Sequence, residues 1–460
     1  MSWTLGELAR ACGGELRGAA STEIRSVSTD TRTLGPGALF VAVKGDSFDG
    51  HDFLADAARA GAAALLVAHA PGAGLPLPAI VVGDTVAALG QLARAHRARF
   101  AGPVVAITGS NGKTTTKELC ARVLEAAGRR VRRTPGNLNN HIGMPLSILG
   151  LAPGDEALVV EMGMNHAGEI DALAAIAEPT VGAITNVAPA HLGMLGSLEA
   201  IANAKGELFA RLGAGATAIV NADDPNCVAQ SARFAGAKLR FGLESPADFR
   251  GRVERVEHGA AHYTLECPAG TAQVRMRAPG LHLVDDGLCA AAAAFATGLL
   301  GPDPLGAIVK GLEEFAGVPG RVALVRAPNG LLVIDDSYNA NPHSVARALE
   351  TLAGLRAAGR AFAVLGDMFE LGDDAEALHA EVGRKAAAAG VDVLVCVGEL
   401  SASTASAARA AGLARVFETR SAEEAVQHVR AQARSGDVVL VKASRGMKLE
   451  RVVKLLTETC

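Results

Sequence analysis

The sequence predicts an α/β protein with three domains, and three observations support that prediction. Its 460 residues amount to about three typical domains of roughly 150 residues. An apolar run at 104–107 leads into a glycine turn and then a helical pattern, the order expected of a buried strand, a tight loop and a helix. Further strand-like runs alternate with helical stretches, and this alternation indicates parallel sheets covered by helices.

Composition narrows the class of protein. Hydrophobic residues make up 49% of the chain and charged residues 20%, as in ordinary globular domains. The net charge of −4 offers no basic surface for nucleic acid. The seven cysteines include no C-x-x-C pair, which favours reduced thiols over a disulfide framework or a zinc site. With no signal-peptide pattern at the start and no uncharged apolar run near 18 residues, we expect a cytoplasmic protein without a membrane partner. We also expect a monomer.

Residues 1–100 are predicted to form a small mixed α/β domain. Thr4 and Glu7 have the spacing of a capping box that opens a short helix. We expect a further helix at 55–64 and strands at 39–43, 63–67 and 79–82.

Two polar loops of this domain, 28–32 and 44–53, lie next to apolar segments. They are consistent either with plain turns or with a site for a polar, charged ligand. Asp30, Arg32 and Lys44 are the candidate ligand-binding side chains, although their spacing alone does not bring them together.

The stretch 104–118 predicts a phosphate-binding loop. Gly109 and Gly112 allow the backbone to curl so that successive N–H groups point inward, and the helix that follows adds its positive end. Lys113 supplies a charge for the β- and γ-phosphates, and the Thr114 hydroxyl can bind Mg²⁺. Two residues separate the glycines where the common pattern has four, so an ordinary strand–turn–helix is the alternative. The predicted loop comprises Gly109, Ser110, Asn111, Gly112, Lys113, Thr114 and Thr115.

The central domain is predicted to span 101–318, with further strands at 157–162, 181–187 and 216–221. Polar side chains at the carboxyl ends of parallel strands gather at one edge of a sheet. Glu161 ends one of these strands and His191 follows another by a short loop, and both are candidate ligands for a hard cation. A helix-capping glutamate and a surface histidine are the alternatives.

Two other features of this domain carry less specific signals. Asn137, Asn139 and Asn140 form an amide-rich cluster that is typical of turns and could also bind a polar substrate. Lys205 lies inside a predicted helix and would, by default, be a solvated lysine.

The last domain is predicted to span 319–460 and to be Rossmann-like. Strand-like runs at 331–336, 361–367, 391–398 and 437–442 alternate with helices, and each ends in a polar or glycine turn. No G-x-G-x-x-G motif follows any of them, which argues against NAD binding. Arg321 and Asp336 could instead reach a nucleotide held by the central domain.

Several motifs together resemble the Mur ligase family of peptidoglycan synthesis, over all three domains. The short phosphate loop of residues 108–115 is similar to that family's loop. The runs at 136–143, 161–170, 186–192, 335–342 and 366–372 are similar to the family branch that adds a dipeptide. The Asp-Asn-Pro-Arg motif of the branch that adds the third amino acid is absent from the last domain.

The resemblance implies roles for individual residues. Lys113 and Thr114 match the ATP and Mg²⁺ positions, Glu161 and His191 match metal ligands, and Lys205 matches a lysine whose carbamate helps to hold Mg²⁺. Positions where the last domain meets ATP correspond to Arg321, Asp336 and Asn339. The loops that hold a UDP-sugar correspond to Ser28, Asp30, Thr31, Arg32, Lys44, Asp49 and His51. In the segment that contacts adenine, Leu283 and Asp286 replace two asparagines, which puts those contacts in doubt.

The activity implied is ATP- and Mg²⁺-dependent amide ligation through an acyl phosphate. The implied substrates are a UDP-N-acetylmuramoyl-tripeptide and D-alanyl-D-alanine, with Asn137, Asn139 and Asn140 among the substrate-binding candidates and Lys113, His191 and Lys205 as the catalytic ones. A ligase that adds a single amino acid, a nucleotide-triggered binding protein without ligase activity and a small-molecule kinase remain alternatives.

Overall fold

A five-stranded sheet and three helices form the first part of the protein. The structure is a computed structural model that describes residues 3–45, 48–70, 77–189, 192–277, 279–356 and 359–458. Thr4 caps the first helix through the predicted capping box with Glu7. The elements are β1 (Trp3–Thr4), α1 (Leu5–Cys12), β2 (Glu15–Arg17), β3 (Glu23–Ile24), β4 (Ser26–Ser28), β5 (Ala38–Val41), α2 (Leu54–Arg59), β6 (Ala64–Val67), β7 (Ala79–Val81) and α3 (Thr85–Arg97).

The strand order in this sheet is β2-β7-β6-β5-β4, antiparallel at β2 and parallel elsewhere, while β1 pairs with β3. Both β5 and β6 are buried along their whole length, as expected of strands covered on both faces. The helix predicted at 55–64 ends at Arg59 because Gly61, with φ +94°, turns the chain.

A nine-stranded sheet forms the central part. Its elements are β8 (Val104–Thr108), α4 (Lys113–Ala126), β9 (Val131–Arg133), α5 (Gly143–Leu149), β10 (Ala157–Glu161), α6 (Glu169–Ala177), β11 (Val181–Ile184), α7 (Leu192–Leu195), α8 (Leu198–Ala210), β12 (Thr217–Asn221), α9 (Pro225–Gln230), β13 (Ala237–Gly242), β14 (Phe249–Glu257), β15 (Ala260–Cys267), β16 (Gly270–Met276), α10 (Leu281–Ala296) and α11 (Pro304–Glu313).

The order β16-β15-β14-β13-β12-β11-β8-β10-β9 places β8 inside the sheet, between β11 and β10. The strands from β9 to β14 are parallel, whereas β15 and β16 add an antiparallel edge. The predicted strands β8, β10, β11 and β12 are confirmed. The antiparallel extension was not predicted, because its partly exposed strands lack a continuous apolar run.

A six-stranded sheet forms the last part, with the order β17-β18-β22-β19-β20-β21 and only β17 antiparallel to its neighbour. Its elements are β17 (Ala323–Arg326), β18 (Leu332–Asp336), α12 (Pro342–Leu355), β19 (Ala361–Gly366), α13 (Ala375–Ala388), β20 (Val393–Val397), α14 (Ser401–Ala410), β21 (Val416–Thr419), α15 (Ala422–Gln432), β22 (Val438–Lys442) and α16 (Glu450–Thr457).

The three sheets confirm the predicted α/β fold class. Apolar side chains of the central and last parts, such as Leu312, Val322 and Leu349, belong to one continuous buried cluster. That shared core holds the carboxyl ends of β8 and β10 opposite those of β18 and β22, around one cavity. No described helix is both long and apolar enough to cross a membrane.

Candidate active site

The loop between β8 and α4 is a turn that only glycine can make at two positions. Gly109 has φ +148° and Gly112 has φ +82°. A Cβ atom at Gly109 would collide with the Thr185 hydroxyl, and one at Gly112 would collide with the Asp286 carboxyl group. Helix α4 begins at Lys113, so its first amides, which have no acceptor within the helix, face the loop. The glycine turn and the helix start that sequence analysis predicted for this loop are therefore present.

The Lys113 side chain is held inside this loop. Its Nζ donates to the Gly109 carbonyl over 2.7 Å and to the Ser110 carbonyl over 3.2 Å. Burial lowers the pKa of Lys113, and the nearby Glu161 carboxylate opposes that shift. The acceptors of the Lys113 ammonium are neutral backbone carbonyls and not a carboxylate. Its positive charge can therefore attract an anion at the start of α4.

Glu161, at the end of β10, is a buried carboxylate with both oxygens engaged. Oε2 accepts a hydrogen bond from the Thr114 hydroxyl over 2.9 Å, and Oε1 accepts one from Asn139 Nδ2 over 2.7 Å. The Glu161 amide donates to the Thr134 hydroxyl over 3.1 Å. The predicted metal ligands Thr114 and Glu161 are thus brought together, and Asn139 orients the carboxylate.

Lys205 is buried, 2% exposed, rather than solvated as its position in a helix predicted. Its side chain lines the same cavity, and among the described residues it makes no hydrogen bond or ion pair. Burial and the nearby Lys113 charge lower its pKa well below the ordinary lysine value. The burial arises because α8 packs between α6 and α9. His191, the other predicted ligand, lies outside the described residues.

Arg321 reaches the phosphate loop from the last part of the chain. Its Nη2 donates to the Thr114 hydroxyl over 3.4 Å, and its guanidinium lies 4.0 Å from the centroid of the Tyr338 ring. Burial raises the pKa of Tyr338, and the Arg321 charge opposes that shift. Arg321 thus contacts the loop between β8 and α4, and its predicted contact with a nucleotide stays a prediction.

Asp336 lines the cavity, but its carboxylate is held by a lysine that sequence analysis did not identify. Lys442 Nζ lies 2.6 Å from Asp336 Oδ2 and donates to the Asn339 carbonyl over 2.9 Å. Burial raises the pKa of Asp336 and lowers that of Lys442, and each partner's charge opposes the other's shift. The only sequence signal for Lys442 was a polar residue ending a buried strand.

The cavity between the central and last parts has a volume of about 780 Å³, within the usual range for ligand sites. Many of the residues predicted for ATP, metal or substrate line it: Ser110, Asn111, Gly112, Lys113, Thr114, Thr115, Asn137, Asn139, Asn140, Glu161, Lys205, Arg321, Asp336 and Asn339. Asn140 also accepts hydrogen bonds from two amides at the start of α5, which is the turn role that sequence analysis gave as the alternative to substrate binding.

The predicted N-terminal ligand residues do not line this cavity. They form two local groups. In the first group, Arg32 Nη2 lies 2.6 Å from Asp30 Oδ2, and the Ser28 hydroxyl donates to the Asp30 carbonyl. The Arg32 guanidinium lowers the pKa of Asp30 to about 2. In the other group, His51 Nδ1 lies 2.6 Å from Asp49 Oδ1, and Asp49 forms an isolated antiparallel β-bridge with Lys44. Thr31 follows Asp30 in the first group.

Helix α10 brings an acidic pair, Asp285 and Asp286, of which sequence analysis singled out only Asp286, as a replacement for an asparagine. Asp286 is buried, and burial and the Asp285 charge raise its pKa well above the ordinary value. Burial raises the pKa of Asp285 to about 7, although Arg347, 3.7 Å away, opposes that shift. Leu283 is buried in the core and also lines the cavity. This side of the cavity therefore presents an aliphatic and two acidic side chains.

Comparisons with known proteins agree with this geometry. Three family models match the chain: "Mur ligase family, catalytic domain" at residues 23–97, "Mur ligase middle domain" at 107–294 and "Mur ligase, glutamate ligase domain" at 320–445. The UDP-N-acetylmuramoyl-tripeptide–D-alanyl-D-alanine ligase of Escherichia coli is 39% identical, with all of both chains covered. The chain belongs to the Mur ligase family.

Other members of the Mur ligase family extend this comparison. The ligase of the same name from Bacillus subtilis is 38% identical, with 95% of this chain and 94% of the relative covered. A crystal structure of MurF from Acinetobacter baumannii matches 100% of this chain and 99% of its own, with a TM-score of 0.90 and 33% identity. MurF ligase from Thermotoga maritima in complex with ADP matches 94% and 97%, with a TM-score of 0.81 and 31% identity.

Proposed function

We propose that this chain is the ATP-dependent ligase that joins D-alanyl-D-alanine to a UDP-N-acetylmuramoyl-tripeptide. One observation carries the proposal: a cavity shared by a phosphate loop, a buried Glu161 and the loop after β18, in a chain aligned over its full length with relatives named for this activity. The complex of the Thermotoga maritima relative with ADP supports a nucleotide at the phosphate loop.

Amide formation from a carboxylate sets the chemical requirements. The tripeptide carboxylate oxygen forms a bond to the γ-phosphorus of ATP as the bond to ADP breaks, which gives an acyl phosphate. The amine then attacks the acyl carbon, phosphate departs, and the nitrogen loses a proton. Positioning and neutralisation of the transferring phosphoryl group supply most of the catalysis.

Lys113 and Arg321 supply positive charge from two sides of Thr114. Lys113 lies in the loop and Arg321 approaches from the last domain. As a nucleotide phosphate displaces the loop carbonyls, the Lys113 ammonium exchanges neutral acceptors for an anionic one, which gives stronger hydrogen bonds. The need for Arg321 makes the reaction depend on contact between the two domains.

The donor atoms beside the loop fit a magnesium ion. Thr114 and Glu161 provide a hydroxyl and a carboxylate oxygen 2.9 Å apart, and Mg²⁺ prefers oxygen ligands. No group of three or more His, Cys, Asp or Glu side chains that could hold a metal occurs among the described residues, so we propose Lys205, as a carbamate, and His191 as further ligands. Magnesium, when bound, would neutralise charge on the phosphates.

We propose residues 1–100 as the UDP-sugar domain, 101–318 as the ATP domain and 319–460 as the domain that completes the ATP and amine sites. The three family-model matches, 23–97, 107–294 and 320–445, fall within these ranges and support the division. The Asp30–Arg32 and Asp49–His51 groups would hold the nucleotide-sugar outside the cavity, leaving the peptide end to reach Lys113.

The experiment measures ADP release and product mass with ATP, Mg²⁺, UDP-N-acetylmuramoyl-tripeptide and D-alanyl-D-alanine. We expect the dipeptide-extended product only when all four are present. Lys113→Ala should abolish ADP release without unfolding, whereas Lys238→Ala, at an exposed position on β13, should behave like the parent. ADP release without the amine would favour a kinase or a nucleotide-triggered binding protein.

A further inference from the structure

The lysine and arginine side chains that line the cavity differ in how they are engaged. Lys113 donates to loop carbonyls, Lys442 pairs with the buried Asp336, and Arg321 contacts Thr114. Lys205 is buried beside Lys113. The cations next to the phosphate loop thus have partners or a proposed role there.

Arg445 lines the solvent-exposed side of the cavity, its outer wall. It lies after β22, at the start of a 3-10 helix, Arg445–Met447, and its side chain is 60% exposed. Its ion pair is with Glu450, at 3.3 Å, whose side chain is itself 44% exposed. Exposed pairs of this kind contribute little stability, so the Arg445 guanidinium can exchange this partner for a ligand carboxylate at small cost.

Neighbouring loops fix the surroundings of Arg445. The Ser444 amide donates to the Asp367 carbonyl over 3.0 Å, and the Phe369 amide donates to the Ser444 hydroxyl over 2.8 Å. The Phe369 ring, 42% exposed, lies against Gly446, where a Cβ atom would be 2.8 Å from the ring. An arginine beside an exposed aromatic ring suits a ligand with a carboxylate and a small apolar group.

The Tyr338 ring contacts both Arg445 and Arg321, the arginine that reaches the phosphate loop. The Arg321 guanidinium lies 4.0 Å from the ring centroid and the Arg445 guanidinium 5.2 Å from it. Arg321 in turn contacts Thr114. Arg321 and Arg445 therefore contact the same ring, and of the two only Arg321 also contacts the phosphate loop among the described residues, whereas the Arg445 side chain is 60% exposed.

We infer that Arg445 binds the terminal carboxylate of the amine substrate and so selects a dipeptide over a single amino acid. This inference rests on the proposed function, because it concerns the amine site of the same reaction. An amine that attacks near Lys113 has its carboxylate close by in a single amino acid and one residue farther out in a dipeptide. In the dipeptide, the terminal carboxylate forms a bidentate ion pair with Arg445 at the outer wall. The terminal methyl group then lies beside the Phe369 ring.

The test compares D-alanyl-D-alanine with its C-terminal amide, which has the same shape without the charge. The parent enzyme should show a KM roughly ten- to a hundredfold lower for the acid than for the amide, the range expected for hydrogen bonds to a charged group. Arg445→Ala should raise the KM for the acid by a similar factor and make the two KM values nearly equal. The KM values for ATP and the UDP-tripeptide should not change.

Controls separate this inference from folding and from the proposed function itself. Arg451→Ala, an exposed arginine of α16 paired with Glu423, should keep the parent's preference for the acid, and Arg445→Lys should keep part of it. If Arg445→Ala retains the full preference, or if the parent enzyme shows none, the inference is wrong while ligation of the dipeptide stands. Absence of any ligated dipeptide with the parent enzyme would instead contradict the proposed function.

Discussion

Asn341 Nδ2 donates a hydrogen bond to Asn111 Oδ1 over 2.9 Å, which joins the start of α12 to the phosphate loop. The same side chain caps its helix, because Asn341 Oδ1 accepts from the Ser344 amide over 2.8 Å. One amide group therefore fixes the last domain's helix and the central domain's loop at once. This contact makes the loop geometry depend on domain closure, which commonly protects a hydrolysable intermediate from water.

Asn341→Ser should separate these two roles. Serine caps a helix about as well as asparagine, but its hydroxyl is too short to reach Asn111. We expect kcat to fall roughly tenfold, the effect of about 1.4 kcal/mol, with little change in melting temperature. Asn329→Ser, in an exposed turn, is the control. A parent-like kcat for Asn341→Ser would show that the contact is incidental.

Domain closure itself should be visible by solution scattering. With an ATP analogue and the UDP-tripeptide together, the parent enzyme should become more compact, and Asn341→Ser should respond less. An unchanged radius of gyration in the parent enzyme would count against closure as part of the reaction.

The parts of the fold that sequence analysis predicted are those set by local pattern. Strand β8 is apolar at four successive positions and is buried throughout. The apolar run alone therefore predicts burial on both faces of the sheet. Thr4 and Glu7 form a cap from groups three residues apart. Strands β14 to β16 were missed because their burial depends on which face meets α10 and α11.

The parts of the site that were missed depend on tertiary neighbours. Lys205 has the local sequence of a solvated helical lysine, and only packing of α8 between other helices buries it. Lys442 pairs with Asp336 across 106 residues, a separation at which no sequence spacing signals contact. Glu161 and Thr114 could be predicted because strand ends and phosphate loops meet at one sheet edge.

Lys205 should act through a carbamate. The amine is buried beside Lys113 and has no acidic partner among the described residues, so an added carboxylate would both pair with Lys113 and offer oxygen to Mg²⁺. Lys205→Ala should lose most activity, and millimolar acetate should restore part of it. Lys205→Arg, which keeps the charge, should be inactive and not rescued. Full activity of Lys205→Ala would refute this role.

Asp285 should make stability depend on pH. Burial, with Asp223 and Glu244 nearby, raises its pKa to about 7 against the opposing charge of Arg347, so between about pH 4 and pH 7 the folded protein retains a proton that the unfolded chain has lost. Its contribution to the free energy of unfolding therefore decreases as pH rises through that interval.

Asp285→Asn removes this decrease. The variant should gain melting temperature relative to the parent at pH 8 and show a smaller gain, or none, at pH 5. Asp373→Asn, at an exposed position, should shift neither value. An equal shift at both pH values for Asp285→Asn would mean that this carboxyl group does not titrate in the interval.

Direct competition between amine substrates tests the central claim most directly. The enzyme would receive ATP, Mg²⁺, UDP-N-acetylmuramoyl-tripeptide and equal concentrations of D-alanyl-D-alanine, D-alanine, lysine and diaminopimelate, and the products would be identified by mass. We expect the dipeptide-extended product to dominate from the earliest time points. Faster ligation of any single amino acid would contradict the dipeptide assignment.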